Sequence, residues 1–220
     1  LPVDKPTGPT SHDVVARARR ALGLRRIGHT GTLDPFASGL LLLCLGPSTR
    51  LAEYLTALPK QYRATMRLGV ATDTDDLTGT PITTSDEWQD LSPEAVEAAL
   101  AAQVGTILQQ PPAYSAKRVR GERMYEAARR GESVERKPAP VTIHAIHIVR
   151  VTLPEVEFDV ECGSGTYIRA IARDAGERLG VGGHLTALRR TAIGPISVER
   201  AIQLDDLADR DRAAQVLLTP

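Results

Sequence analysis

Apolar and polar residues recur along the chain with two different periods, and these periods predict its helices and strands. After Ser11, apolar residues recur at the spacing of one helix face, so Ser11 is predicted to cap a helix. The residues of that face are Val14, Val15, Ala18 and Leu22. Alternation over 62–70 predicts a strand with one side facing solvent. The apolar run 40–45 predicts a buried strand or the start of a helix.

The second half of the chain shows both patterns again. Alternation predicts strands at 141–151 and 156–162 and a strand pair within 185–198. A helical pattern runs from 166 to a glycine stop at 180, and Ser92 before a proline predicts the cap of another helix. Because helices and strands do not alternate as in βαβ units, the sequence predicts an α+β fold.

Composition places the chain among globular proteins. Its 220 residues are 42% apolar and 25% charged, which argues against a disordered tail or a collagen-like fibre. The longest apolar run, 40–45, is far shorter than the roughly 20 residues that cross a bilayer, and no leader pattern opens the chain, so a cytoplasmic protein is expected. Cys44 and Cys162 form no C-x-x-C pair, and both are expected to be buried thiols.

Charge cancels over the whole chain but not locally. The net charge is +4 over residues 1–30, +4 over 117–137 and −8 over 71–100. Such segregation lets one face attract a polyanion such as a nucleic acid, but solvated helix faces explain the same sums. Charge alone leaves both interpretations open.

Two familiar motifs are present only in incomplete form. Gly163-Ser164-Gly165 lies between a predicted strand and a predicted helix but lacks the third glycine of a dinucleotide-binding fingerprint. The run 73–76, DTDD, is similar to the start of a calcium loop, but Leu77 and Thr84 stand at ligand positions. A solvated turn is therefore predicted for this run.

The segment 28–39, GHTGTLDPFASG, holds a carboxylate in a glycine-rich loop. Asp34 before Pro35 is either a nucleophile or an ordinary turn former, and the segment alone leaves both open. Arg169 lies at the start of the predicted helix that follows a loop. There its guanidinium either keeps a carboxylate ionised or forms a surface ion pair.

Seven short blocks, taken together and in order, resemble the bacterial tRNA pseudouridine-55 synthases, the TruB family. They are Asp4-Lys5-Pro6 with Thr10-Ser11, GHTGTLDP at 28–35, Lys60-Gln61-Tyr62-Arg63, Arg67-Leu68-Gly69 with Thr72-Asp73-Thr74-Asp75, Tyr114-Ser115-Ala116-Lys117, Gly165-Thr166-Tyr167-Ile168-Arg169 and Leu188-Arg189-Arg190. Each block alone is weak, whereas the ordered set is specific. The resemblance extends from Asp4 to about Leu207.

This resemblance implies the pseudouridine synthase fold, with a mixed, largely antiparallel sheet flanked by helices. It implies an isomerase that flips a uridine out of the T-loop of tRNA and converts it to pseudouridine, without a metal or a cofactor. Asp34 is implied to be the nucleophile, and Arg169 the cation that keeps it ionised. Whether Asp34 attacks the sugar, adds to C6 of the base or starts a glycal route stays open.

The resemblance also assigns roles around the flipped base. Tyr62 is implied to stack on the uracil and to help move the C5 proton, although an aromatic residue on an alternating strand otherwise belongs to the core. Tyr167 and Leu188 are implied to line the pocket and His29 to enter the T-loop. Lys5 is expected among the substrate-binding residues.

The basic segment 117–140 resembles a mobile RNA-gripping insertion of this family. The residues expected to contact tRNA there are Lys117, Arg118, Arg120 and Arg123. Within the segment, 122–130 is predicted to form a short basic helix. The expected partner is the T-arm stem-loop of tRNA, with no membrane and no protein partner, and the expected state is a monomer.

Residues 1–210 are expected to form the catalytic domain and 211–220 a tail, with the family's C-terminal RNA-binding domain absent or truncated. Two other classes compete with an isomerase. A non-catalytic tRNA-binding or folding module has no use for Asp34, Tyr62 and Arg169 together. A synthase guided by a separate RNA is expected to carry the C-terminal domain.

Overall fold

The computed structural model describes residues 1–113, 118–119, 122–123 and 137–218. Its α-helices are α1 (Ser11–Leu22), α2 (Ala52–Ala57), α3 (Pro93–Ala101), α4 (Ile168–Arg178) and α5 (Arg210–Gln215). Its strands are β1 (Pro2–Lys5), β2 (Ile27–His29), β3 (Ser38–Leu45), β4 (Lys60–Leu68), β5 (Val70–Thr72), β6 (Pro81–Thr84), β7 (Gly105–Gln109), β8 (Arg118–Val119), β9 (Glu122–Arg123), β10 (Ala139–Thr152), β11 (Glu155–Cys162), β12 (Gly183–Ile193), β13 (Ile196–Ser197) and β14 (Ile202–Gln203). The predicted α+β class is confirmed.

The chain divides into two compact units. Unit 1 consists of Leu1–Arg63 together with Leu188–Pro220, and unit 2 of Ala64–Ala187. Strands β4 and β12 each contribute residues to both units. Unit 1 therefore contains the first and the last part of the chain, and unit 2 the part between them.

In unit 1 the strand order is β14, β1, β3 and β12, with β2 added to β3 and β13 added to β12. Strands β1 and β3 are antiparallel, whereas β1 with β14 and β3 with β12 are parallel. The sheet is mixed, as predicted. The predicted strand pair within 185–198 is confirmed, since β12 and β13 pair antiparallel through Ile193 and Ile196.

Strand β3 is buried on both faces. Leu41 and Leu43 pack on the side of α1, whereas Leu40 and Leu42 pack with Ile193 in a second cluster. Burial on both faces explains why this strand reads as a continuous apolar run rather than an alternating one. Of the two predicted possibilities for that run, the strand is the correct one.

In unit 2 the strand order is β12, β4, β11, β10 and β7, and β10 pairs antiparallel with both β11 and β7. The predicted alternation of β4 is confirmed, with Ala64, Met66 and Leu68 buried and Arg67 exposed. Helices α3 and α4 pack together, and α3 also contacts β10. Strands β5 and β6 form a separate antiparallel hairpin.

Helix α1 begins one residue away from its predicted cap. Thr10, not Ser11, accepts the hydrogen bond of the Asp13 N–H at 3.1 Å, and the Asp13 carboxylate accepts one from the Thr10 N–H at 2.9 Å. Ser11 is unsuitable as a cap here because its hydroxyl is used elsewhere in unit 1. The predicted cap of α3 is confirmed, since Ser92 accepts from the Ala95 N–H at 3.2 Å.

The predicted basic helix 122–130 is wrong at its start. Residues 122–123 are extended and pair antiparallel with 118–119 as strands β9 and β8. This extended backbone cannot also form the first turn of a helix. Residues 124–130 lie outside the described part of the chain. Cys44 and Cys162 are both buried, as predicted.

Candidate active site

Asp34 lies in the loop between β2 and β3 of unit 1, half-buried, at the first corner of a turn. The Ala37 N–H donates to the main-chain carbonyl of Asp34 at 3.1 Å, with Pro35 at the second corner. The turn-former interpretation is thereby confirmed. It does not compete with a chemical role, because this hydrogen bond uses the main chain and not the carboxylate.

Residues near the start of the chain hold this loop in place. The Ser11 hydroxyl accepts from the Leu33 N–H at 2.8 Å and donates to the Leu33 carbonyl at 3.0 Å. The Gly8 N–H donates to the Pro35 carbonyl at 2.7 Å. Leu33 is itself buried. Both neighbours of Asp34 in the chain are therefore fixed, which limits the freedom of its side chain.

Two buried cations contact this loop. The Lys5 ammonium donates to the carbonyls of Pro6 and Pro9, each at 2.8 Å, and to the Pro35 carbonyl of the loop at 3.5 Å. The Arg190 guanidinium donates to the Leu40 carbonyl at 2.7 Å and to the Gly31 carbonyl at 3.1 Å. Lys5 and Arg190 are 0% and 1% exposed, so main-chain carbonyls replace water as their hydrogen-bond partners.

Gly39, at the end of this loop, allows β3 to approach Arg190 closely. Its φ is +102°, and a Cβ there would lie 2.3 Å from the main-chain oxygen of Arg190. Any side chain at this position would therefore push β3 and β12 apart. The glycine makes the parallel pairing of these strands possible next to the Asp34 loop.

Burying the charged Lys5 ammonium costs free energy because the charge loses its contact with water. Desolvation lowers its pKa to about 8, and the Asp34 carboxylate opposes this by favouring the charged form. Lys5 thus faces the loop interior, close enough to Asp34 to interact with its charge. Its predicted role in binding substrate stays a prediction; what the structure shows is a lysine that holds loop carbonyls.

The lowered pKa predicts how stability depends on pH. Below pH 8 Lys5 is protonated in the folded and the unfolded chain; between about pH 8 and 10.5 only the unfolded chain keeps the proton. Wild type should therefore gain unfolding free energy relative to Lys5→Met as pH rises through this window, by up to about 3 kcal/mol. Urea unfolding of both proteins from pH 7 to 10.5 measures this. A difference that does not change with pH would contradict the prediction.

His29 ends β2, half-buried beside α1. Its ring lies edge-on to that of His12, with centroids 5.5 Å apart and planes at 83°. Burial, and next the positive charges of His12 and Arg190, lower the pKa of His29, which favours a neutral imidazole.

Unit 1 also contains Tyr62 on β4 and Leu188 on β12, which are buried, with 9% and 8% of their surface exposed. Five predicted site residues thus belong to unit 1.

Arg169 belongs to unit 2, on the first turn of α4. Its guanidinium donates to the Asp76 carboxylate at 3.2 Å and to the Thr74 carbonyl at 2.7 Å. Both side chains of this ion pair are 5% exposed. The alternative of a surface ion pair is therefore wrong. The predicted pairing of Arg169 with Asp34 stays a prediction.

The acidic run 73–76 forms a turn with Asp73 exposed, as its sequence predicts, but its last two residues are not solvated. Asp75 and Asp76 are buried, and Arg173, one helical turn after Arg169, pairs with Asp75 at 3.0 Å. The Thr78 hydroxyl donates to Asp76 at 2.6 Å. Two arginines of α4, more than ninety residues away in sequence, thus replace solvent around these carboxylates.

Tyr167 lies half-buried at the N-cap of α4. Gln109, the last residue of β7, contacts it through both ends of its carboxamide: Oε1 accepts from the Tyr167 N–H at 2.9 Å, and Nε2 donates to the Tyr167 carbonyl at 3.1 Å. Sequence reasoning missed Gln109. The only signal for it is a polar residue two positions from Ile107 on a short strand, which by itself predicts nothing specific.

Of the four predicted RNA contacts in the basic segment, Lys117 and Arg120 lie outside the described residues. Arg118 and Arg123 are described through their backbones alone, and they are paired across strands β8 and β9.

Over the described ranges, no group of three or more His, Cys, Asp or Glu side chains is placed to hold a metal ion. No described helix has the length and apolar character needed to cross a bilayer.

Two proteins with sequences similar to this chain carry the same name. The chain is 50% identical over 207 residues to tRNA pseudouridine synthase B of Burkholderia pseudomallei (strain 668), covering 94% of this chain and 68% of that protein. It is 51% identical over 214 residues to the protein of the same name from Thermobifida fusca (strain YX), covering 94% and 73%.

Solved structures show the same fold. A chain in a Cbf5-Nop10-Gar1 complex matches with 32% identity and a TM-score of 0.74, over 95% of this chain and 53% of that one. A chain in an H/ACA RNP bound to a substrate RNA containing 2'-deoxyuridine matches with 30% identity and a TM-score of 0.70, over 95% and 52%. This chain therefore spans about half the length of those solved chains. The predicted pseudouridine synthase fold is confirmed.

Two family models cover nearly the whole chain. Residues 19–168 match the N-terminal domain of the TruB family pseudouridylate synthases. Residues 169–218 match the C-terminal domain of tRNA pseudouridylate synthase B. The predicted resemblance is confirmed: the chain belongs to the TruB family of pseudouridylate synthases.

Proposed function

We propose that this chain isomerises the uridine at position 55 in the T-loop of tRNA to pseudouridine. Membership of the TruB family and the tRNA-specific names of relatives at about 50% identity support the reaction and the substrate. The observation that carries the proposal is the geometry of the Asp34 loop. Hydrogen bonds fix Leu33 and Pro35 on either side of Asp34, and the buried Lys5 ammonium interacts with its carboxylate. The predicted cytoplasmic location and monomeric state stay predictions.

In this reaction the bond from N1 of uracil to C1′ of ribose breaks, and a bond from C5 to C1′ forms. The proton on C5 leaves to solvent, and N1 gains a proton, so no atom or electron is added overall. Asp34 starts the reaction as a carboxylate, whether it acts on the sugar or on the base, so it must be ionised when the substrate is bound. The Lys5 ammonium in its loop favours that charge.

The other predicted residues act around the flipped base. Tyr62 stacks on the uracil, and stacking of this kind contributes about 1–3 kcal/mol, which offsets much of the cost of unstacking the base in the RNA. Tyr167 and Leu188 line the pocket, and His29, whose lowered pKa keeps it neutral, enters the T-loop. Arg169 supplies positive charge for the Asp34 carboxylate.

The test uses tRNA transcripts that carry tritium at C5 of uridine. Purified protein should release tritium to water without added RNA or protein, and a transcript with cytidine at position 55 should release none. Tight binding without release would instead indicate a non-catalytic tRNA-binding module. Release only after addition of a guide RNA would indicate an RNA-guided enzyme. Either of these results would refute the proposal.

The basic segment should contribute to binding rather than to chemistry. Replacing Arg118, Arg120 and Arg123 by Gln should weaken tRNA binding and reduce the slope of log Kd against log salt by about one for each phosphate that the variant no longer neutralises. Filter binding at several salt concentrations measures this slope. Arg150→Gln, at an exposed position on β10, is the control and should leave the slope unchanged. An unchanged slope in the triple variant would contradict these assignments.

A further inference from the structure

Helix α4 begins without a capping side chain of its own. Its N-cap, Tyr167, is extended at φ −97° and ψ 112° and makes no side-chain cap hydrogen bond. Gly165, two residues earlier, has φ +85° and ends a glycine-rich turn. The first N–H groups of a helix have few partners within the helix. Here the Ala170 N–H donates to the Tyr167 carbonyl at 3.2 Å, and contacts from another element add to the order of this start.

Gln109 of β7 provides that contact from a distant part of the sequence. Gln109 is 2% exposed, and its side chain satisfies both the N–H and the carbonyl of Tyr167. This is the pair of hydrogen bonds that a neighbouring strand would make, supplied here by one carboxamide. The next residue is tied to the same helix, since the Arg173 guanidinium donates to the Gln110 carbonyl at 2.9 Å.

The helix start is thus fixed at two adjacent points. Gln109 holds the backbone of Tyr167, and the carboxylate of Asp76 with the carbonyl of Thr74 holds the guanidinium of Arg169. Only Ile168 separates the two held residues. A rotation or shift of the Tyr167 backbone would therefore move both the tyrosine ring and the first turn that carries Arg169.

We propose that Gln109 is a positioning residue for the isomerisation, acting through the backbone of Tyr167 on the side chains of Tyr167 and Arg169. This inference rests on the proposed function. It assigns Gln109 an effect on the rate of the chemical step and little effect on the affinity for tRNA, because the carboxamide is buried and spends both of its polar ends on Tyr167.

The chain offers a matched control. Gln103 is also buried, and its Nε2 donates to a carbonyl of the same helix, Ile171, at 3.1 Å. Gln103→Met and Gln109→Met both exchange a buried carboxamide for an apolar side chain of similar length, and both remove hydrogen bonding to α4. Only Gln109→Met releases the residues that the reaction uses.

Single-turnover rates with excess enzyme, tRNA Kd values, thermal midpoints and hydrogen exchange of residues 163–172 should be measured for wild type and both variants. Gln109→Met should lower the single-turnover rate by about 10- to 100-fold, with tRNA Kd within about twofold of wild type. Amide exchange at the start of α4 should be at least about tenfold faster. Gln103→Met should keep the rate and this exchange within about twofold of wild type.

Two results would overturn the inference. One is a rate for Gln109→Met that equals wild type or falls no further than that of Gln103→Met. The other is unchanged exchange at the start of α4. If wild type itself forms no pseudouridine, the proposed function fails and this inference fails with it; an active wild type with an equally active Gln109→Met refutes the inference alone.

Discussion

Asp34→Asn is expected to lower the single-turnover rate of pseudouridine formation by at least about 10⁴-fold, the loss typical of removing a nucleophile. The amide keeps the shape and the turn, because the turn uses the main-chain carbonyl of Asp34. What it removes is the negative charge on which the proposed chemistry depends. Tritium release from C5-labelled tRNA under excess enzyme measures the loss.

Binding and folding serve as controls for this variant. Kd for tRNA should stay within about threefold of wild type, because the carboxylate contributes chemistry rather than attraction to phosphates. The loop should keep its conformation, because the Ser11 and Gly8 contacts remain. The thermal midpoint should fall modestly, because the buried Lys5 ammonium loses a nearby negative charge. Full activity in Asp34→Asn would refute the mechanism, whatever the stability of the variant.

Arg169→Met is expected to lower both activity and stability. Removing one partner of a buried ion pair leaves the Asp76 carboxylate uncompensated, which costs about 3–5 kcal/mol of unfolding free energy. The rate should fall by at least about 10³-fold, because the proposed counter-charge of Asp34 is removed as well. Urea unfolding and single-turnover tritium release measure the two effects.

A double variant separates these effects. In Arg169→Met with Asp76→Asn, both charges are absent and the carboxamide oxygen can still accept the hydrogen bonds from Thr78, so part of the missing stability should return. The rate should stay as low as in Arg169→Met. Recovery of activity together with stability would show that Arg169 acts only on folding, and would remove it from the proposed mechanism.

Periodic patterns predicted most of the fold because the buried face of each helix or strand sets the spacing of apolar residues within that element. The alternation of β4 and β11 and the helical spacing of α1 appear in the structure as predicted. The cap of α1 lies one residue before its predicted position because Thr10 and Ser11 are both good caps in isolation. The contact that decides between them, from Ser11 to Leu33, joins residues that no local pattern connects.

Only those site residues that lie in short sequence motifs could be predicted. The motif containing Asp34 stands out because glycine and proline mark its loop. The surroundings of Lys5 were less predictable, because they combine the nearby Pro6 and Pro9 carbonyls with the Pro35 carbonyl, 30 residues along the chain. The acidic run 73–76 reads as solvated because its two arginine partners lie in α4. Gln109 was not predicted because its role depends on hydrogen bonds to the Tyr167 backbone, 58 residues away in sequence.

Unit 1 is built from two segments that lie on either side of unit 2 in the sequence, and this has a consequence for protein synthesis. Strand β1 pairs with β14 and β3 with β12, and the Arg190 guanidinium holds the Gly31 carbonyl. A ribosome delivers Arg190 only after all of unit 2 has been translated. A nascent chain that stalls before this arginine has its carboxylate loop without one of its two cationic supports. The Asp34 loop therefore gains this support only after unit 2 has been synthesised, whatever the order in which the earlier segments fold.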